Sequence, residues 1–135
     1  GSDRIRFYTK GLTSGTDFYS TSTLSDNEWY HIACTYELNG DKKIYINGVL
    51  DNTVSTSGTI TSEGVAYTIG ARNLNSSIDN YFDGDIDEVA IWNRALEATD
   101  VQRIYNATND NPGKCANLWS AGLNTGLVYW NRMGD

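Results

Sequence analysis

The chain reads as short runs in which apolar and polar residues alternate, separated by clusters rich in Gly, Asn, Ser and Thr. A period of two is the pattern of a strand that buries one face and wets the other. Eight runs carry it, or are dense in Val, Ile, Thr, Tyr, Phe and Trp: residues 5–8, 17–21, 29–38, 43–46, 49–54, 66–69, 82–92 and 127–130. These residue types fit a pleated, half-buried surface, and the even spacing predicts an all-β sandwich. Two dipeptides fix its centre. Asn39-Gly40 and Asn47-Gly48 supply the positive φ angles of tight hairpin turns, so residues 29–54 are expected to form a three-strand meander. In its first strand Tyr30, Ile32, Cys34, Tyr36 and Leu38 share one face, and Trp29, His31, Ala33, Thr35 and Glu37 share the other. The first set is expected to point at the core. One stretch has a helical period instead: Leu96, Val101, Ile104 and Tyr105 form a stripe that predicts one short helix near residues 97–105. Residues 106–114 then read as loop, and the stretch 107–125 as loop-rich. No internal repeat is visible.

Composition narrows the picture. With 135 residues the chain is expected to be a single domain over 1–135. A hydrophobic content of 39% is enough for a core and too high for a disordered tail. No run approaches the ~18 apolar residues of a membrane span, so no membrane insertion is expected. The net charge is −7 and the ten basic residues are scattered. A phosphate-binding surface needs clustered Lys and Arg, so nucleic acid is not an expected partner. The acidity suits solubility or divalent cations. Cys34 and Cys115 are too few for a disulfide scaffold. They are either one long-range bridge or two thiols, and Cys34, in an apolar strand, is expected to be a small buried hydrophobe. Residues 1–2 read as a cloning remnant, and no signal peptide is seen at this N-terminus.

From Trp29 to Asn106 five features follow in a specific order. Trp29-Tyr30-His31-Ile32-Ala33 is followed by Ile44-Tyr45-Ile46-Asn47-Gly48-Val49, then Tyr67-Thr68-Ile69-Gly70, then Phe82-Asp83-Gly84-Asp85-Ile86-Asp87-Glu88-Val89. Ile91-Trp92-Asn93-Arg94-Ala95-Leu96 and a helix ending Ile104-Tyr105-Asn106 complete it. This order resembles the laminin G-like and pentraxin-like branch of the concanavalin A-like lectin/glucanase superfamily. The resemblance implies a two-sheet antiparallel jelly-roll sandwich, in agreement with the strand pattern. It also implies that the usual N-terminal strands are missing, and that 126–130, which resembles an opening strand, either closes the sheet in their place or leaves an open edge. An open edge invites pairing with another chain, so a homo-oligomer through that edge is a further expectation.

The candidate chemistry lies in connecting segments. A sugar needs an aromatic plate for its C–H face and polar groups for its hydroxyls. Tyr81 and Phe82 lie beside Arg72, Asn73, Asn75 and Asn80, which makes these six the expected ligand-binding residues; Tyr19 and Trp119 are further exposed candidates. Asp83, Asp85 and Asp87 alternate, so an extended chain would put them on one face. They are either a Ca²⁺ site, with Asp79, Asp83 and Asp85 as ligands, or solvated and structural, with Asp87 accepting hydrogen bonds from the turn at 94–96. No cofactor is required, and Ca²⁺ is the candidate. The glucanases of the resembled superfamily need Glu-x-Asp-x-x-Glu. The corresponding positions here are Asp85, Asp87 and Ala90. Ala90 cannot donate a proton, so no enzyme is expected. His31, the lone histidine, has no nucleophile arranged beside it. The expected function is a non-catalytic recognition module of a surface, secreted or virion protein, binding a glycan, or else a protein-interaction domain without a sugar site.

Overall fold

A computed structural model of the chain describes residues 3–61, 64, 66–74, 77–109, 116–119 and 122–132. In chain order the elements are β1 (Arg6–Tyr8), β2 (Leu12–Ser14), β3 (Asp17–Tyr19), β4 (Ile32–Tyr36), β5 (Asp41–Ile46), β6 (Val49–Ser55) and β7 (Ser57–Gly58). They continue with β8 (Arg72–Leu74), β9 (Ser77–Asp79), β10 (Val89–Trp92), α1 (Ala98–Asn109) and β11 (Leu127–Asn131). The fold is mainly antiparallel β with one helix. Its strands group as β4-β5-β6 and as four two-strand ribbons: β1-β3, β2-β7, β8-β9 and β10-β11.

The meander expected at 29–54 is the central sheet. Ile46 pairs directly with Val49, and the two residues between them have φ of 51° (Asn47) and 77° (Gly48). That is the two-residue turn an Asn-Gly pair favours. Gly48 is required twice over, because a Cβ there would lie 2.9 Å from the Tyr105 ring of α1. The first turn is wider than expected. β5 starts at Asp41 rather than 43, and only Asn39 takes the left-handed conformation, with φ 55°. The Glu37 amide donates to the Asp41 carbonyl and the Gly40 amide to the Glu37 carbonyl.

Both faces of the central sheet are covered, and the larger core lies on the face opposite to the expected one. Tyr45, Leu96, Val101, Ile104, Ala116, Leu118 and Leu123 form the buried cluster, with Ala33, Ala107, Trp92 and Trp130 packed against it. Ala33 pairs with Tyr45, so it is the Ala33 face of β4 that meets α1. Of the set expected inside, Leu38 is 61% exposed and Cys34 is also exposed. The reason is size: small Ala33 leaves room for the helix, whereas the opposite face carries a polar anchor. There Lys42, fully buried, donates from Nζ to the carbonyls of Phe7 (2.6 Å), Gly15 (2.9 Å) and Thr16 (3.2 Å). Its ammonium also sits 4.4 Å from the Phe7 ring centroid. This clamp ties the β1-β3 ribbon down over buried Phe18 and Ile44. A charge can be buried when its donors are fully engaged, and no periodicity argument finds it.

The helix extends beyond the expected boundary to Asn109, because Ala107 continues the stripe of Val101 and Ile104 into the core. The strand expected at 127–130 is present as β11, antiparallel to β10. Trp130 Nε1 donates to Glu88 Oε2 at 3.0 Å, and Trp92 Nε1 donates to the Leu123 carbonyl at 2.7 Å. Two expected strands are not formed as such. Residues 66–69 are not a strand, and of 82–92 only Val89–Trp92 pairs. Glu88 has φ of 53° and interrupts the alternation just before β10. Four short strands, β2, β7, β8 and β9, had no alternating signal long enough to be read. Among the described residues no helix is long and apolar enough to cross a membrane.

Candidate functional site

The segment 72–82, expected as a loop, is a hairpin with a tail. Arg72 faces Asp79 in register, and their side chains meet fork to fork: Nε to Oδ1 at 2.8 Å and Nη2 to Oδ2 at 2.9 Å. The guanidinium holds the Asp79 carboxyl below the usual carboxylate range, and Asp79 in turn raises Arg72. Both stay near half exposed, so the pair offers paired donors and acceptors to solvent rather than stability.

The tail bends sharply at Asn80, whose φ is 48°. It is then fastened by the Phe82 amide donating to the Gly70 carbonyl at 2.8 Å. The bend turns both aromatic side chains outward: Tyr81 is 75% exposed and Phe82 59%. The Phe82 ring lies over Gly84, where a Cβ would sit 2.9 Å from the ring edge. Asn73 is partly inside, with Nδ2 donating to the Ala66 carbonyl and Oδ1 buried without a partner. Tyr67, at 96%, is the most exposed of the large hydrophobic residues named here, and Ile78 is 52% exposed.

The register joins Arg72 to Asp79, which Asn80, Tyr81 and Phe82 follow along the chain, while Asn73 is tied to the Ala66 carbonyl. Asn75 lies outside the described residues. Of the candidate calcium ligands, Asp79 is engaged by Arg72, while Asp83 and Asp85 are exposed on irregular chain. Residues 83–87 form no strand, and the chain bends at Gly84, between Asp83 and Asp85. Among the described residues no group of three or more His, Cys, Asp or Glu side chains converges as a metal site. Asp87 accepts from the Glu88 amide at 2.8 Å. The turn at 94–96 is held otherwise: Arg94 donates to the Thr125 carbonyl and to Asp100 Oδ2.

His31 is structural. Its amide donates to Asn47 Oδ1, its carbonyl accepts from the Asn47 amide, and its ring lies 6.0 Å from Tyr105. Burial pulls its pKa down. Cys34 lines a cleft of about 320 Å³ with Phe7, Thr35, Tyr36, Trp92, Asn93 and Arg94. Solvent reaches it, so it is not the buried hydrophobe expected. The crowded cleft wall nonetheless desolvates the thiol and pushes it up to about 11. Its relation to Cys115 falls outside the described residues. Trp119, a further candidate, is 63% exposed.

Sequence reasoning named Tyr19 as an exposed candidate, and Tyr19 is 38% exposed, but it missed the polar-aromatic surface to which that ring belongs. On the outward side of β1-β3, Arg6 Nε and Nη2 meet Asp17 Oδ1 and Oδ2 at 2.7 and 2.9 Å. Tyr8 and Tyr19 flank them. The alternation in residues 5–8 and 17–21 was the available signal, because it sets Arg6 and Tyr8 on the face opposite to Phe7.

The comparisons with known proteins agree with this architecture. A laminin G-type model, described as concanavalin A-like lectin/glucanases superfamily, matches residues 1–102. An S-layer domain-containing protein from Clostridium thermocellum, solved by crystallography, is similar with a TM-score of 0.52 and 22% identity. The likeness covers 78% of this chain and 64% of that one, so the chain spans about two thirds of its length. At that identity it shows the fold alone. No curated protein matches the sequence significantly.

Proposed function

Because the chain belongs to the concanavalin A-like lectin/glucanase superfamily, we propose that it is a non-catalytic recognition module that binds a glycan, carried on a cell-surface, secreted or virion protein. One observation carries the reading: the segment leaving the β8-β9 hairpin exposes Tyr81 and Phe82, two and three residues after Asp79 of the Arg72–Asp79 fork. An aromatic ring covers the C–H face of a pyranose, and a carboxylate–guanidinium pair accepts from and donates to neighbouring hydroxyls. The S-layer context of the similar structure is in keeping with a surface location. No cofactor is needed for this mode. The catalytic alternative lacks support, since Ala90 occupies the acid's place and Glu88 is held by Trp130 and Arg132. A glycan array tests the proposal. Binding that disappears in Tyr81→Ala supports it, and an array that stays silent for the wild-type protein refutes it.

A protein-interaction role is favoured by a different observation. β4 and β10 are edge strands among the described residues, and both line the 320 Å³ cleft. The outer side of β10-β11 also exposes Ile91, Val128 and Tyr129. An uncovered edge beside apolar surface fits strand addition by another chain, including a second copy. Light scattering of the purified chain decides it: a concentration-dependent dimer supports self-association, and a monomer at all concentrations excludes it.

A further inference from the structure

The chain ahead of β8 is laid back against the hairpin and fastened to it twice. The Asn73 side chain donates from Nδ2 to the Ala66 carbonyl at 3.1 Å, and the Phe82 amide donates to the Gly70 carbonyl at 2.8 Å. Thr68 Oγ1 donates to the Ala71 carbonyl at 2.6 Å and closes the turn into β8. The backbone that carries Tyr67 is therefore tied down on both sides, yet Tyr67 is 96% exposed. A ring that buries almost none of its surface adds almost nothing to folding. Other residues of the two tied segments are also apolar and open: Ile69 is 42% exposed, Ile78 52%, Phe82 59% and Tyr81 75%. Tyr81 folds back along β9, with its hydroxyl 3.5 Å from the Ile78 carbonyl. Large apolar side chains left open together on segments so tied mark a binding surface.

From this geometry we infer that Tyr67 is a further ligand-binding residue, a second aromatic platform that makes the hairpin site fit an oligosaccharide of two or more linked units rather than one terminal sugar. The inference rests on the reading of the hairpin tail as a glycan site. Chain geometry sets the scale. Tyr67 lies three residues before Gly70, whose carbonyl holds the Phe82 amide, and three residues reach at most about 11 Å. A short oligosaccharide bridges that span. At 96% exposure the Tyr67 ring is packed on neither Tyr81 nor Phe82, so it offers a face of its own to a separate sugar unit. The tethers order its backbone before any ligand arrives, which lowers the ordering cost of binding.

Calorimetric titration with hexasaccharides of mannan, xylan and β-glucan, and with the monosaccharide of each series, tests this. The wild-type chain is expected to bind the hexasaccharide of the preferred series more tightly than its monosaccharide. Tyr67→Ala is expected to weaken the hexasaccharide about tenfold, the loss of one stacking contact, and to leave Tm unchanged. Tyr67→Phe keeps the ring and should keep the affinity. Tyr81→Ala should abolish binding. If Tyr67→Ala leaves the hexasaccharide untouched while Tyr81→Ala abolishes it, the second platform is wrong and the hairpin site stands. A fall in Tm of Tyr67→Ala that matches its loss of binding makes the ring structural and overturns the inference. If no saccharide of this panel binds the wild-type chain, both the platform and the hairpin site are wrong.

Discussion

Lys42 shows how much a single side chain can decide. It sits mid-strand in β5, where alternation assigns an inward position to an apolar residue, yet it is wholly buried with three carbonyl acceptors. Lys42→Met keeps the length and takes the ammonium from the Phe7 and Gly15 carbonyls, while the Thr16 carbonyl keeps the Thr9 amide. Each buried unsatisfied group costs about 1–3 kcal/mol, so the variant should lose roughly 3 kcal/mol or more. For a chain of this size that corresponds to a fall in Tm of about 10 °C, measurable by calorimetry. His31 makes a second residue-scale prediction. Burial lowers its pKa in the folded state, so below the ordinary histidine value the unfolded chain binds a proton that the folded chain does not. Stability is therefore complete above about pH 6.5 and falls as the pH drops below it, by at most about 1.4 kcal/mol per pH unit. His31→Phe, which keeps a ring against Tyr105, should flatten urea-derived stability between about pH 5 and 7. The carboxylates lowered by arginine, Asp17 and Asp79, act further down the scale, where acid begins to protonate them.

At the scale of elements, what could be read from the sequence followed the length of the pattern. The meander, α1 and β11 were legible because Asn47-Gly48, the 96–105 stripe and Leu127 to Trp130 each carry several consistent residues. The hairpin at 72–79 was not, since three-residue strands hold too few side chains to show a period. The face of β4 was misread for a physical reason. Both faces of the central sheet are covered, so bulk on one side and the small Ala33 on the other give no hydrophobic contrast. The aromatic and polar residues of the candidate site could be named from sequence, but the Arg72–Asp79 pairing depended on strand register. β11 supplies a test of element docking. Trp130 packs on the core and donates to Glu88. Trp130→Ala should cost about 3 kcal/mol, and Trp130→Phe about 1 kcal/mol for the lost hydrogen bond. Equal melting curves for all three proteins would mean that β11 does not dock on β10.

For the whole molecule, the layers are an anchored ribbon, a central meander and a helix with the β10-β11 pair. The chemistry is left to the hairpins around them. Among the described residues no acidic side chains converge on a cation site, and the expected outcome is that EDTA leaves Tm unchanged and Ca²⁺ gives no titration heat. A rise in Tm on adding Ca²⁺ would instead assign the exposed Asp83 and Asp85 to a cation. The most direct test of glycan recognition at the rim is chemical-shift mapping of the ¹⁵N-labelled chain with the panel of neutral polysaccharide fragments. Shifts centred on Arg72, Asn80, Tyr81 and Phe82 are the predicted result. Shifts confined to the edge cleft around Cys34 and Trp92, or none with any fragment, would contradict it.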